Sequence, residues 1–362
     1  MLTILWLAPN FNHYKARFLN HLAKDKEVQL TVLSGSGRQK MGDKKLNGDW
    51  SFKQVQLEVT KKDFGNSKLV KQHLKSIFSD FDWVLIPAEK KNLPLFLFAL
   101  RLRKTYPSSR LFSYNHPILK SKHGKITFLD KILTKFYYRK LDRVVFYTEI
   151  SREWALQEKL ISPEKSYWAN NTIDTIEIGK YYTFELPPRE QCTVVFIGRL
   201  IKSKRLEDLI LYYKRLKDDL PDLKLEIIGD GPEKSVIESA ITKDNSIIWH
   251  GTLIDEAKIA PIMKRASLIF IPGHSGLSVN HAFAYGRPYI TIDGQSHAPE
   301  ITYIENGKNG FVLKGDFNSN LLTIKSLLTN RQELEDFCVN ANSKGKDLSV
   351  LNWVEKMKSS LL

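Results

Sequence analysis

Leu268-Ile-Phe-Ile-Pro-Gly-His-Ser-Gly-Leu-Ser-Val-Asn-His-Ala-Phe-Ala-Tyr-Gly-Arg-Pro288 reads as a strand, a glycine-containing turn and a helix in direct succession. Leu268–Ile271 is an apolar run of strand length; the helix starts near Leu277 and stops at Gly286, with Pro288 just beyond. A loop feeding a helix N-terminus offers unpaired N–H groups and the positive end of the helix dipole to an anion. That makes Gly273–Pro288 a candidate diphosphate site, with His274, Ser275, Gly276, Leu277 and Ser278 at its mouth and His281 further along the helix. An ordinary strand–loop–helix joint would carry the same residues.

Outward from this run, strand-length apolar segments alternate with amphipathic ones, the mark of βα units on a parallel sheet. The same half holds strands at Thr193–Ile197, Lys224–Ile228, Ile247–His250 and Tyr289–Ile292, with helices at Leu206–Leu216 and Lys234–Ile241. The first half gives strands at Thr3–Ala8, Gln29–Ser34, Lys53–Val59, Trp83–Ala88, Arg110–Tyr114, Arg143–Thr148 and Ser166–Ala169, and helices at Tyr14–Ala23, Lys68–Ser79, Leu93–Lys104 and Ile126–Lys140. At 362 residues the chain is too long for one ordinary core. The reading is α/β with two Rossmann-like domains: 1–175, a linker at 176–190 marked by Pro187-Pro188, a second domain at 191–335, and C-terminal helices at 336–362. Leu351, Val354, Met357 and Leu361 recur at helical spacing beside Trp353, so the last helix is amphipathic and is expected to cross back to the first domain.

Composition narrows the class. With 42% hydrophobic and 26% charged residues the chain is globular, and no apolar stretch approaches the roughly 20 residues needed to span a bilayer. Leu93–Leu100 is too short to span and reads as a buried helix. The start, Met1–Pro9, lacks a basic leader region and reads as a first strand, not a signal peptide. Cys192 and Cys338 offer neither metal spacing nor a disulfide framework, which fits the cytoplasm, although one incidental bridge stays open. Charge is segregated: residues 1–180 carry 32 Lys and Arg against 17 Asp and Glu, whereas residues 181–362 carry 23 of each. Such asymmetry points to an anionic partner for the first half: lipid headgroups, a pyrophosphate-linked acceptor or nucleic acid.

A second chemical signal lies after Thr193–Ile197, where Gly198-Arg199-Leu200 is followed by Lys202, Lys204 and Arg205. Ligands of open α/β sheets bind at the carboxyl edge of the strands, and a forked Arg beside a point-charge Lys suits pyrophosphate. A basic loop alone is commonly just solvated; two anion-binding features in one domain reinforce each other. Ser34-Gly-Ser-Gly37, after the second strand, reads only as a turn.

Over most of residues 193–315 the second half resembles the donor domain of glycosyltransferase family 4, the retaining GT-B enzymes. The matching pieces are Phe196-Ile-Gly-Arg-Leu200 with Lys204, Ile228-Gly-Asp-Gly-Pro232, His250-Gly251, the Gly276 to Pro288 run, and Glu300 followed by Asn306-Gly and Gly310-Phe-Val-Leu. Asn171-Thr-Ile-Asp174 is similar to the family's hinge. The resemblance implies a GT-B fold with two domains facing each other across a cleft. It implies that Arg199 and Lys204 neutralise the donor diphosphate, with Gly198 and Gly231 in the surrounding turns. The sequence departs from the family at the E-x7-E motif, whose two carboxylate positions hold Gly273 and His281. In the family the second Glu commonly binds ribose hydroxyls, a task open to the imidazole of His281 through one ring nitrogen. His274 or Ser275 are the candidates to take over donor-sugar contacts, and a buried structural histidine is the competing reading of His281.

The first half matches the family less specifically. Asn115-His116-Pro117 ends a strand where many family members place a His near the donor sugar, so His116 is assigned there, against a plain turn before Pro117. Asn10, His13, Tyr14 and Arg17 follow the first strand and are assigned to the acceptor side, against a reading as surface residues. Lys120, Lys122, Lys125, Lys131, Lys135, Arg139 and Lys140 intersperse with Ile126, Phe128, Leu129, Ile132, Leu133, Phe136, Tyr137 and Tyr138. Such a helix can lie in a bilayer interface or pack on the core with a solvated basic face.

Together these features predict a nucleotide-sugar-dependent retaining glycosyltransferase. Its acceptor would be a glycan, carried on a polyprenyl pyrophosphate, in bacterial-type surface polysaccharide assembly such as O-antigen or capsule. The enzyme would be cytoplasmic and peripheral on an anionic membrane face. Charge on the leaving diphosphate would be stabilised electrostatically, with no cofactor or metal called for and the nucleotide-sugar as substrate. The alternatives are a non-catalytic sugar-nucleotide or glycan-binding subunit, a UDP-sugar 2-epimerase-like enzyme, and a nucleic-acid protein; no stacking platform or recognition helix supports the last.

Overall fold

The computed structural model describes residues 1–36, 49–119, 126–190, 192–294 and 297–362. The chain divides into two compact units, Met1–Asn171 with Val350–Leu362, and Thr172–Ser349. The expectations resting on Gly37, Lys120, Lys122, Lys125 and Gln191 fall outside the described residues.

In the first unit β1 (Leu2–Ala8) is central. It pairs in parallel with β2 (Val28–Ser34), which pairs with β3 (Lys53–Gln56), and on its other side with β4 (Trp83–Leu85). Beyond β4 follow β5 (Arg110–Asn115), β6 (Arg143–Phe146) and β7 (Ser166–Trp168), giving the order β3-β2-β1-β4-β5-β6-β7. Winding outward in both directions from β1 covers both faces with helices, so the inner strands β1 and β4 are near-continuous apolar runs, while the edge strand β3 is mostly polar and partly exposed. The helices are α1 (His13–Ala23), α2 (Lys68–Ile77), α3 (Leu93–Thr105), α4 (Phe128–Lys140) and α5 (Glu149–Gln157). α1 starts where the Asn12 side chain accepts from the Lys15 N–H, and α4 starts at a Thr127–Asp130 capping box.

The second unit repeats the scheme. β8 (Thr193–Ile197) pairs in parallel with β9 (Lys224–Ile228) and β11 (Leu268–Phe270). With β10 (Ile247–Trp249), β12 (Tyr289–Ile292) and β13 (Gly310–Leu313) the order is β10-β9-β8-β11-β12-β13. Its helices are α6 (Thr175–Gly179), α7 (Leu206–Asp219), α8 (Lys234–Ile241), α9 (Glu256–Arg265), α10 (Ser278–Ala284), α11 (Phe317–Thr329) and α12 (Arg331–Asp347). Cys192 and Cys338 are free thiols.

Two boundaries differ from the sequence reading. Residues 176–190 are not a free linker: Ile178 lies in the second core, and the Tyr182 hydroxyl donates to the Tyr285 carbonyl at 3.1 Å while its ring packs on that of Tyr285. Fully buried Arg287 adds to this seam, donating to the Met263, Lys264 and Glu185 carbonyls. The second unit does not end at 335, because α12 buries Leu334, Phe337, Cys338 and Ala341 in the same core. Only α13 (Val350–Ser359) belongs to the first unit, with Trp353 at 4.7 Å from Phe18 and its indole N–H donating to the Tyr114 hydroxyl. Its buried stripe is Val350, Trp353, Val354 and Met357, continued past the helix end by Leu361; Leu351, expected inside, is 57% exposed because it lies roughly 100° around the helix from that stripe.

Candidate functional site

β8 and β11 lie side by side at the centre of the second sheet, and the chain leaves them in opposite directions, β8 toward β9 and β11 toward β12. Loops following such a pair diverge and open a crevice beyond the carboxyl ends of the strands. The two loops there are the ones the sequence singled out. β8 runs into Gly198, Arg199 and a 3₁₀ turn at Lys202–Lys204, and β11 runs into Gly273–Leu277 ahead of α10.

The loops are stitched together. The His274 N–H donates to the Ser203 carbonyl at 2.8 Å, and the Lys204 ammonium donates to the His274 carbonyl at 2.5 Å. A third loop supports them: the Leu200 N–H donates to the Asp230 carbonyl at 3.0 Å, and a Cβ on Gly231 would come within 2.8 Å of the Leu200 carbonyl carbon. Arg205, at the end of the 3₁₀ turn, takes a left-handed φ of 57°, a costly conformation for a non-glycine, and pairs with Asp208.

The electrostatics suit an anion. Lys204 is only 8% exposed, and burial, with the Arg199 charge adding to it, pushes its ammonium down to about 8. Its hydrogen bond runs to a carbonyl, not to a carboxylate. A diphosphate beside Lys204 and exposed Arg199 would favour the charged ammonium and lift its pKa again. The backbone N–H groups of Gly276, Leu277 and Ser278 precede the first internal bond of the α10 turn, from Val279 N–H to the Gly276 carbonyl.

The glycine loop explains the missing first carboxylate. A Cβ at Gly273 would run onto the Ser203 carbonyl oxygen and come within 2.6 Å of the Lys204 carbonyl carbon, so no residue with a side chain fits where the loop closes on the lysine turn. Ser275 is a correction. It was a candidate for donor-sugar contact, yet it is 0% exposed, and its hydroxyl is spent on Thr291 Oγ1 at 3.1 Å, Tyr289 Oη at 3.0 Å and the Gly273 carbonyl. It braces the loop from inside. Ser278 Oγ likewise meets Tyr289 Oη at 2.8 Å. His274 is half-buried on the outer side of the loop.

His297 completes the brace and was missed by the sequence reading. The Ser275 N–H, which can only donate, points at His297 Nδ1 at 3.1 Å, so the proton sits on Nε2 and is donated to the Ile292 carbonyl at 3.1 Å. Burial lowers the His297 pKa, with the neighbouring His274 and Lys204 charges acting the same way. The available signal was its place just before Pro299-Glu300, whose Glu was recognised while the preceding histidine was not.

His281 is 5% exposed and faces inward across α10. Its Nε2 lies 3.3 Å from Glu256 Oε2, the oxygen that also accepts the Tyr285 hydroxyl at 2.8 Å. His281 is thus packed against a buried carboxylate from α9, a partner that its position in the sequence does not reveal.

The first-unit candidates occupy the corresponding edge of the first sheet. Asn10 follows β1, and its carbonyl accepts from Lys15 Nζ at 3.2 Å. His13 opens α1, its ring 4.1 Å from that of Tyr14; burial, and then the Arg17 charge, push its pKa down to about 4. His116, after β5, is exposed and sits 5.0 Å edge-to-face from Tyr147, while its carbonyl accepts the Tyr138 hydroxyl.

Residues 183–344 match the family described as Glycosyl transferases group 1. The matched stretch lies wholly within the second unit. HepE of Anabaena, solved in complex with UDP, superposes with a TM-score of 0.71 at 15% identity, covering 99% of both chains. That likeness runs through both units and establishes the fold as two Rossmann-like domains of the GT-B class. Among curated proteins, the sulfoquinovosyl transferase SQD2 of Arabidopsis thaliana is 28% identical over 150 residues, 40% of this chain and 28% of that protein. The N-acetylgalactosamine-N,N'-diacetylbacillosaminyl-diphospho-undecaprenol 4-alpha-N-acetylgalactosaminyltransferase of Campylobacter jejuni is 30% identical over 128 residues, 35% and 34% of the respective chains. The chain thus spans about a third of the length of the curated relatives it matches.

Proposed function

We propose that the protein is a retaining glycosyltransferase of the family 4 type that moves a sugar from a nucleotide-diphosphate donor to a glycan acceptor borne on a polyprenyl pyrophosphate. The observation that carries this is the Lys204–His274 bond, which joins the cationic loop after β8 to the glycine loop after β11 at the switch point of the sheet. In this reading Arg199 and Lys204 stabilise charge developing on the leaving diphosphate, the N–H groups of Gly276 and Leu277 assist, and no protein nucleophile is invoked. His274 is the loop's remaining candidate for the donor sugar. His116 is proposed to assist near the reacting sugar, and Asn10, His13, Tyr14 and Arg17 to recognise the acceptor. An undecaprenyl-diphosphate-linked acceptor in the name of the Campylobacter relative supports the lipid-borne acceptor and a role in O-antigen or capsule assembly. The basic first half supports work at the inner membrane face. Among the described residues no helix is long and apolar enough to cross a membrane.

A second reading, a sugar-nucleotide-binding subunit without turnover, is favoured by one observation: neither Gly273 nor His281 presents a carboxylate. A panel of UDP, GDP and dTDP sugars, incubated with lipid extract, separates the two. Transfer should yield a free nucleoside diphosphate and a product whose anomeric NMR coupling matches the donor. Tight nucleotide binding without transfer across the panel favours the second reading, and an inverted product refutes retention.

A further inference from the structure

We propose that α4 docks the protein on an anionic phospholipid bilayer, its outer apolar edge entering the headgroup boundary while a groove at its C-terminal end receives headgroup phosphates. The inference builds on the proposed lipid-borne acceptor and names the surface that would meet the membrane.

Phe128, Leu129, Ile132 and Phe136 are 77%, 73%, 50% and 37% exposed. At helical periodicity they share one sector roughly 100° wide. The opposite sector, with Asp130, Thr134, Tyr137 and Tyr138, is buried. Lys131 and Lys135 border the apolar sector on one side and Lys140 on the other, with Arg139 at its C-terminal end. The helix's only carboxylate, Asp130, is 1% exposed and turned inward onto Lys90 and the Thr127 N–H. What α4 shows to solvent is therefore apolar and cationic without an acid of its own, the layout of a helix lying in a membrane interface. It is firmly seated, with Phe96 stacked on Tyr137 at 3.9 Å and the capping box fixing its start. This face is thus a standing feature of the fold.

Next to it lies a cavity of about 590 Å³ in which Lys135, Arg139, Lys159 and Lys165 stand over Leu160 and Ile161. Among the described residues no carboxylate lines it. Lys165 is held in place by the Arg139 and Leu141 carbonyls at 3.3 and 3.0 Å. Of the flanking cations, Lys131 pairs with Glu158 at 2.5 Å, whereas Lys135, Arg139 and Lys140 form no ion pair among the described residues. Cations over an apolar floor, continuous with an exposed aromatic edge, complement a layer of anionic headgroups above acyl chains.

The test is co-sedimentation of the full chain with phosphatidylcholine vesicles and with vesicles containing roughly one-third phosphatidylglycerol. The protein should sediment with the anionic vesicles at least tenfold more strongly than with the neutral ones, and less as salt rises. Phe128→Ser with Leu129→Ser, and separately Lys135→Ala with Arg139→Ala, should each lower the anionic partition at least tenfold while keeping the wild-type melting temperature. The charge pair should also flatten the salt dependence. Equal binding to both vesicle types, no binding, or unaffected variants would overturn the proposal. So would a wild-type dimer in light scattering that the Phe128/Leu129 variant converts to a monomer, which would assign the face to a second copy. Sugar transfer without vesicle binding sinks this inference alone; vesicle binding without transfer sinks the proposed activity alone.

Discussion

Replacing Gly273 with alanine adds one methyl group at the point where the glycine loop touches the lysine turn. The new Cβ meets backbone, the Ser203 carbonyl oxygen and, at 2.6 and 2.7 Å, the carbonyl and α carbons of Lys204, so no flexible side chain can swing away to make room. The loop must lift, which strains or breaks the His274 N–H bond to Ser203 and the Lys204 bond to the His274 carbonyl. Overpacking of this kind costs about 1–3 kcal/mol, and a lost hydrogen bond adds about 1 kcal/mol. A total of about 3 kcal/mol corresponds to a fall of roughly 6–12 °C in the melting midpoint for a unit of this size. Calorimetry on the purified variant, with Gly179→Ala as control, reads it directly. Gly179 has open space where a Cβ would go, so that change should leave the midpoint unchanged or raise it by roughly 1–3 °C. Nucleoside diphosphate affinity should fall with the first substitution and not with the second. A Gly273→Ala midpoint within about 1 °C of wild type would show that the loop is not closed on Lys204 as described.

Two further outcomes follow from the same loops. Because the Lys204 ammonium is pushed down to about 8, only about a tenth of the free protein carries that charge at pH 9. Nucleoside diphosphate affinity measured by titration calorimetry should therefore weaken roughly tenfold between pH 7 and pH 9. A Lys204→Met variant should bind weakly with no such slope, and a flat wild-type profile would refute the assignment. For the stability of the free protein the sign is opposite, since the cost of the buried charge is fully present below pH 8 and is relieved as pH rises from 8 toward 10.5. His297→Phe leaves the buried Ser275 N–H without its acceptor and should cost about 1–3 kcal/mol at pH 7.5. Since the His297 pKa is lowered from 6.5, the wild-type advantage is present above 6.5 and is lost as pH falls through the lower folded value. Unfolding midpoints of the two proteins that run parallel from pH 7.5 to 4.5 would contradict this.

Much of the architecture was legible in the sequence because buried parallel strands are apolar runs bounded by turn residues. Thr193–Ile197, Lys224–Ile228 and Tyr289–Ile292 were read to the residue. Overshoots have local causes. β4 stops at Leu85 rather than Ala88 because Pro87 has no N–H for the ladder. β3 stops at Gln56 because the chain turns where the Val59 N–H bonds the Leu57 carbonyl, although Val59 stays buried. The segment from Tyr182 to Pro187 looked like a linker since its prolines break periodicity; its aromatic rings nevertheless pack on the second unit. In the site, the cationic loop could be read from residue type and position. The fate of Gly273, Ser275 and His281 could not, because it depends on backbone approach and on Glu256 and His297, distant in sequence. On α4 the pattern showed that two faces exist but not which one the fold would bury.

The central claim is that Arg199 and Lys204, brought against the glycine loop, hold the diphosphate of a nucleotide-sugar through the transition state. Nucleoside diphosphate release with the best donor of the panel and lipid extract, measured for wild type, Arg199→Ala and Lys204→Ala at matched folded concentration, tests it most directly. Wild type should turn over while each variant loses at least about a hundredfold in rate with its melting transition intact. Wild-type rates in both variants would contradict the account.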